Sequence, residues 1–326
     1  VSAPRIIAAG SALLDQLALV PETFLETVSG AKGGMELIDH PNLLDIVSRL
    51  PESPARAPGG SAANTAAAAA RLGLQGRLLT KVGNDDDGRF YRKNIEASGV
   101  DTSSFKVDDN AATGSCLSLV TPDSERTLRT YLGASATLSP AEITAADFEG
   151  CTHAHIEGYL LFNADLMRHI LRTAKDSGCT ISIDLASPEV VAASRIMLPC
   201  ILRDYADMVF ANEDEAFAFA QTSDEGEALS CLSKFCPLSV VKLGARGAVM
   251  RRGSQFVRVP AVRAEAVDTT GAGDYWAAGF LYGILNDKPL SEAGHIGASV
   301  AAEVVQQLGA ALPENTWTRL KSELGL

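Results

Sequence analysis

Six apolar runs of strand length, at residues 6–9, 77–82, 153–157, 180–184, 207–211 and 238–243, alternate with helical stretches at 62–72, 88–98, 164–176 and 214–220. Strands separated by helices cannot pair as tight hairpins; each crossover brings the next strand back parallel, and the helices cover both faces of the sheet. The expected fold is therefore α/β, three-layered, with a mostly parallel central sheet. Ligands of such a sheet collect at the carboxyl ends of its strands, where Asp15, Asn212 and two glycine-rich segments fall. The stretches from about residue 16 to 50 and from about 107 to 133 break the alternation. They hold short extended pieces at 35–38, 115–120 and 127–132, which predict a small sheet outside the main one. With 326 residues, one domain over 1–326 carrying this appendage is expected.

The segment Asp268, Thr269, Thr270, Gly271, Ala272, Gly273, Asp274 precedes an apolar stretch, residues 275–285, with the character of a buried helix. Its glycines permit a tight turn and close approach of the backbone to a ligand. The free NH groups and positive dipole end of the helix start bind an anion. A carboxylate at that place is repelled by a bound phosphate unless it has a task, such as taking the proton of an attacking hydroxyl. Asp274 is the candidate. A plain N-capped turn entering a core helix is the alternative reading.

Asp268 to Asp274, followed by Ala278, Gly279 and Phe280, resembles the C-terminal signature of the ribokinase-like (PfkB) family of sugar and nucleoside kinases. Gly59, Gly60, Ser61, Ala62, Ala63, Asn64 and Thr65 resemble the family's N-terminal glycine motif, and Gly10, Ser11 and Asp15 match its first strand end. Asn212 with Glu215 is a fourth match, and the four span nearly the whole chain in the family's order. The resemblance implies a ribokinase-like fold whose small sheet is a lid, formed by the two irregular stretches, that closes over substrate and excludes water. It implies that Asp274 is the catalytic base and that Gly271, Ala272 and Gly273 form the anion hole. Asn212 and Glu215 would organise magnesium and the ATP phosphates, Glu215 through water. Alternatively Asn212 caps a helix whose acidic first turn suits the dipole. Lys242, Gly244, Gly247 and Thr269 lie along the nucleotide in this reading. Arg126 resembles a lid arginine that approaches the transferred phosphate. Ser11, Asp15, Gly59, Gly60 and Asn64 match positions that hold sugar or ribose hydroxyls.

Residues 32–39 and 127–135 resemble the bacterial adenosine kinase branch, and Met35, Leu37, Leu132, Tyr159 and Phe162 offer an apolar slot for a base, or else belong to the core. Ser11 departs from that branch, which commonly carries Asn there. The reading is an ATP-dependent nucleoside kinase, adenosine first, with a ribokinase or fructokinase as the alternative and a non-catalytic sensor as a weaker one. A potassium requirement beside the anion hole and the choice between monomer and homodimer stay open.

The net charge of -12 and the lack of any Lys/Arg run argue against a nucleic-acid partner. ATP needs only local cations, for which Lys81, Arg126, Arg129, Lys242 and Arg246 are candidates, Arg246 reading best as surface charge. The six cysteines show no Cys-x-x-Cys spacing and read as reduced thiols of a cytoplasmic protein. His153 and His155 alternate along one strand without a third ligand and read as ordinary strand histidines rather than a metal site. The apolar run at 6–14 is broken by Asp15, too short for a membrane span and without a basic start or cleavage site. No Gly-x-Gly-x-x-Gly follows the first strand and no Walker string occurs, which sets aside a dinucleotide oxidoreductase and a P-loop NTPase. Residues 285–326 read as helical and core-forming, with no chemistry assigned.

Overall fold

The computed structural model describes residues 3–123 and 125–326. In chain order the strands are β1 (Arg5–Ala9), β2 (Leu13–Leu19), β3 (Met35–Leu37), β4 (Ala55–Gly59), β5 (Gln75–Gly83), β6 (Phe105–Asp108) and β7 (Gly114–Val120). They continue as β8 (Arg126–Tyr131), β9 (His153–Glu157), β10 (Thr180–Asp184), β11 (Met208–Asn212), β12 (Leu238–Lys242), β13 (Ala248–Arg252) and β14 (Gln255–Val259). Nine form one sheet in the order β14-β13-β12-β11-β10-β9-β1-β5-β6, parallel from β12 to β6, and five form a second sheet in the order β3-β8-β7-β2-β4.

Alternate residues of the large sheet face two separate helix layers. Ile7 and Ala9 of β1, Ile181 and Ile183 of β10 and Val209 of β11 pack with Leu166, Met167 and Ile170 of the helix Ala164–Asp176. Ile6 packs instead with Ala68 and Leu72 of the helix Ser61–Leu72, and Phe210 with Trp276 and Phe280 of the helix Ala272–Leu285. With both faces buried, a one-residue slip would exchange every side chain between layers, so the register is tightly held. That register sets Glu157 opposite Asp184 and Asn212 opposite Lys242, a polar row at the carboxyl ends of an otherwise apolar sheet.

The antiparallel edge β13 and β14 is absent from the sequence expectation. Arg251, Arg252 and Arg258 interrupt its apolar pattern, as suits an edge that must not pair with another chain. The second sheet also draws on more of the chain than the two irregular stretches. β2 begins at Leu13, and β4 at Ala55–Gly59 lies beyond them. Pro58 disguised β4, which tolerates it as an edge strand. The helix His40–Ser48 covers this sheet, with Leu43 and Ile46 packed on Leu117 and Leu119. No helix among the described residues is long and apolar enough to cross a membrane.

Residues 285–326 form the helices Leu290–Val304 and Glu314–Leu324, as expected. The first lies so close to Ala272–Leu285 that a Cβ on Gly279 would come 2.8 Å from Gly297 Cα, and one on Gly283 2.6 Å from Ala293 Cα. The glycines set the depth at which Ala272–Leu285 sits, and with it the position of Asp274. Gly279→Val is expected to lower unfolding stability by about 2 kcal/mol in urea titrations, because the backbone of Gly297 cannot yield to a side chain.

Candidate active site

A cavity of about 880 Å³ opens over the carboxyl ends of β10, β11 and β12, walled by Asp184, Asn212, Lys242 and the loop that enters the helix Ala272–Leu285. Gly244, Gly247 and Thr269 also line it. Gly247 has φ +87, and a Cβ there would lie 2.0 Å from Val259 O, so the turn after β12 admits glycine alone. Ala298, Ala301 and Val305 complete the wall, so the chain beyond residue 285 contributes to the site although no chemistry was expected of it.

Lys242 and Asp184 form an ion pair at 2.8 Å, and both side chains are largely buried. Burial opposes charge on each, but their attraction prevails: Asp184 is held below the ordinary carboxylate value and Lys242 above the ordinary lysine value. A Cβ on Gly273 would lie 3.0 Å from Lys242 Nζ, which places this ammonium against the helix start. Asn212 and Glu215 form a reciprocal cap on the helix Glu213–Ala220: Glu215 N donates to Asn212 Oδ1 at 2.8 Å, and Asn212 N donates to Glu215 Oε2 at 2.8 Å. Asn212 Nδ2 also donates to Glu215 Oε1 at 2.7 Å. Burial, then the Asp184 charge, pushes Glu215 up to about 7. The capping alternative is thus realised, with both residues still in the cavity wall.

Gly271 takes the left-handed conformation, φ +75, and the helix starts at Ala272. Ala272 N–H, expected in the anion hole, donates to Thr269 O at 3.1 Å, so that amide is already engaged. The N–H groups of Gly271, Gly273 and Asp274 have no acceptor among the described residues. Asp274 is half-buried at the cavity end. Its Oδ1 accepts from Ser61 Oγ at 2.6 Å and its Oδ2 from Asn64 Nδ2 at 2.9 Å, both from the first turn of Ser61–Leu72. Burial raises its pKa to about 6 against the pull of these two donors. Asn64, expected on the acceptor side of the site, therefore joins Ser61 in holding the Asp274 carboxylate.

Beyond Asp274 lie Asp15, Gly59 and Gly60. A Cβ on Gly59 would lie 2.3 Å from the Asp15 carboxyl, and one on Gly60, φ +98, would lie 2.3 Å from Ser11 O. Burial carries Asp15 up to about 7; the Arg126 charge lowers it, while Asp274 and Asp268 add to the rise. Glu157 was missed by the sequence analysis. It is fully buried, accepts from Ser11 N and Ala62 N at 3.3 Å each, and burial raises it to about 7. Asp184 was missed as well. Each is the last residue of an apolar strand in a parallel sheet, and that position was the available signal.

Other expected residues lie elsewhere. Met35, Leu37 and Phe162 are 51%, 61% and 65% exposed, so the core alternative for them fails, and Leu132 is half-buried just after β8. Tyr159 stands in the wall of the large cavity with Asp184 and Glu215 rather than among them. Lys81 is not free for a nucleotide, being buried against Asp108 at 3.2 Å and Glu142 at 2.9 Å. Arg129 is buried and donates to Ser29 O at 2.9 Å through Nε, holding the segment before β3. Arg246 pairs with Glu213 and Glu225 on the surface. His153 donates or accepts at Thr180 Oγ1 and Ser182 Oγ, 2.8 Å each, and burial lowers His153 to about 3 and His155 to about 4, so both are neutral core residues. All six cysteines are free thiols.

The chain matches the pfkB family carbohydrate kinase pattern over residues 37–317. It is 33% identical over 256 residues to an ATP-dependent ribose-1-phosphate kinase of Halopiger xanaduensis, covering 76% of this chain and 82% of that protein. Among solved structures it is similar to a probable sugar kinase protein from Rhizobium etli CFN 42, with TM-score 0.89 and 32% identity, covering 100% of this chain and 99% of that one. It is also similar to the adenosine kinase from Sinorhizobium meliloti, with TM-score 0.87 and 34% identity, covering 98% and 99% of the two chains. The fold and these likenesses are those of a phosphotransferase with an alcohol group as acceptor, acting on a small sugar or nucleoside. The chain belongs to the pfkB family of carbohydrate kinases.

Between its ordinary value of 3.8 and about 7, Asp15 keeps a proton in the folded chain that the unfolded chain has lost, so its contribution to stability falls as pH rises through that window. Asp15→Asn removes the burdened charge. It is expected to raise Tm by about 2 °C at alkaline pH, a gain that shrinks toward zero as pH falls toward 4, in melts run across pH.

Proposed function

We propose that this kinase transfers the γ-phosphoryl group of ATP to the hydroxymethyl group of a nucleoside, adenosine first, with Asp274 as general base. The observation that carries the reading is the position of the Asp274 carboxylate. It is half-buried between the large cavity and the Asp15 recess, aimed by Ser61 and Asn64 and next to unengaged amides. An ionised Asp274 accepts the acceptor's hydroxyl proton as the new O–P bond forms and the bond to the β-phosphate oxygen breaks, and ADP leaves. The amides of Gly271, Gly273 and Asp274, with the Lys242 ammonium, receive the charge spread over the transferring oxygens. Asp15 and Asn64 suit vicinal hydroxyls, one accepting and one donating.

No group of three or more His, Cys, Asp or Glu side chains converges to hold a metal among the described residues. Magnesium keeps several waters and binds through one or two carboxylates plus substrate phosphates, so the oxygens of Glu215 and Asp184 in the cavity wall fit it. When bound it neutralises charge on the phosphates.

A neutral acceptor is favoured by the charges of the recess. Asp15 and Asp274 face it, and Arg126 beside Asp15 is already paired with Asp268. A phosphorylated sugar would meet those carboxylates. Adenosine takes precedence over a free sugar on the likeness to the S. meliloti adenosine kinase over nearly the whole of both chains. An apolar base slot from Met35, Leu37 and Leu132 requires the small sheet to move inward as a lid, because Met35 and Leu37 are open to solvent here. A free sugar, as in a ribokinase or fructokinase, is the second reading, since the hydroxyl-binding residues would serve it equally. A non-catalytic sensor would have no use for Asp274 held in this way.

ADP release from Mg-ATP, measured with adenosine, guanosine, inosine, ribose, fructose and ribose 1-phosphate, tests the reading. Release with adenosine is expected; release with a free sugar alone overturns the nucleoside assignment, and release with ribose 1-phosphate alone overturns the neutral-acceptor argument. Asp274→Asn should lower turnover by roughly 10² to 10⁴ with nucleotide affinity little changed. Because the base works ionised, kcat/KM should fall as pH drops through about 6, and a profile flat well below that value would exclude Asp274 as the base.

A further inference from the structure

Arg126, the first residue of β8, reaches out of the small sheet into the loop that begins Ala272–Leu285. Its Nη1 donates to Thr270 Oγ1 and its Nη2 to Asp268 Oδ2. Asp268 is the other carboxylate of that loop, and its side chain is 4% exposed. Its Oδ1 accepts from Thr270 N at 2.9 Å and Thr270 Oγ1 at 2.8 Å, and its Oδ2 accepts from Gly309 N at 2.7 Å as well as from Arg126. A carboxylate has about four acceptor positions, so Asp268 is filled.

The same carboxylate ties together the two segments that flank the anion hole. Gly309 follows the helix Leu290–Val304, and Val267 N and Asp268 N both donate to Val305 O, at 2.7 and 3.1 Å. A buried carboxylate is costly unless a positive charge faces it. A potassium ion held through this carboxylate would need a lone-pair position to spare on it and a negative charge not yet met, and Asp268 has neither, so it does not fit that ion.

We infer that Arg126 is a positioning residue that takes the place of a monovalent cation beside the anion hole, holding Asp268 and through it the loop from Thr270 to Gly273 in the shape that receives the phosphoryl group. The kinase should then need no potassium. The guanidinium also comes from the small sheet, so the loop is fully held only while that sheet keeps its place over the large one.

The test compares potassium chloride with choline chloride at equal ionic strength, reading both melting temperature and ADP release from Mg-ATP with adenosine. The wild-type chain should show the same melting temperature and rate in both salts. Arg126→Gln should lose about 10² in turnover in choline chloride, melt lower, and recover part of both losses in potassium chloride, because its removal leaves Asp268 facing an empty cation position. A role in packing alone would not make the variant respond to potassium. The charge-neutral double variant Arg126→Gln with Asp268→Asn should be indifferent to the salt. Potassium activation of the wild type, or a potassium-specific rise in its melting temperature, overturns the inference. So does a folded Arg126→Gln that keeps full rate in choline chloride, or one that ignores potassium in both readings. Should that variant fail to fold, Arg126→Lys keeps the charge and must remain independent of potassium, and activation of it by potassium overturns the inference. The melting arm needs no acceptor, so an error in the acceptor assignment leaves it decisive.

Discussion

Two helix starts meet at one carboxylate, and the site is arranged around that meeting. Asp274 lies in the first turn of Ala272–Leu285, and the donors that aim it, Ser61 and Asn64, lie in the first turn of Ser61–Leu72. The two helices pack on the same layer of the large sheet through Ala68, Tyr275 and Ala278. The alanine-rich face of Ser61–Leu72 permits that approach, while Gly279 and Gly283 of the other helix face Leu290–Val304. The dipole at each start favours the negative charge that burial disfavours. The outcome is a carboxyl group raised to about 6, low enough to be ionised near neutrality and high enough to accept a proton usefully.

Around this centre the chain gathers more acid than an apolar sheet would ordinarily tolerate. Asp15, Glu157 and Glu215 are all pushed up to about 7 by burial, whereas Asp184 and Asp268 stay below the ordinary value. For Asp184 the Lys242 charge outweighs burial; for Asp268 the hydrogen bonds from Gly309 N and from Thr270 do so first, with the Arg126 charge adding to them. Lys242 faces Asp184 and lies against Gly273, and Arg126 faces Asp268 and Thr270 just before the turn. Both cations are therefore held in place before substrate arrives, so little ordering remains to be done when the phosphoryl group enters.

The glycine motifs were legible because each needs a backbone that few residues allow. Gly60, Gly247 and Gly271 have positive φ, and Asp274 follows the last of these at fixed spacing. Six of the seven parallel strands of the large sheet were legible because residues buried on both faces leave a continuous apolar run; the seventh, β6, lies at the sheet edge. Edge strands carry no such mark. β4 with Pro58 and β14 with Arg258 bury one face or neither, and sequence pattern alone did not find them. Lys81 and Arg129 were misplaced for a related reason. A long cation near a motif in sequence points wherever its nearest acceptors lie, and theirs are Asp108, Glu142 and the carbonyl of Ser29.

Residue identity and spacing by themselves determined the α/β class, the positions along the chain of the strands that carry the site, the helix start after Gly271, and Asp274 as the carboxylate in its first turn. These are local properties, set by backbone sterics and by which faces of an element are apolar. Tertiary structure alone decided that Glu157 and Asp184 join the site and that Arg126 is bound to Asp268. Those outcomes depend on register and on distances between segments more than a hundred residues apart, as with Arg126 and Asp268, and no local pattern encodes a through-space distance.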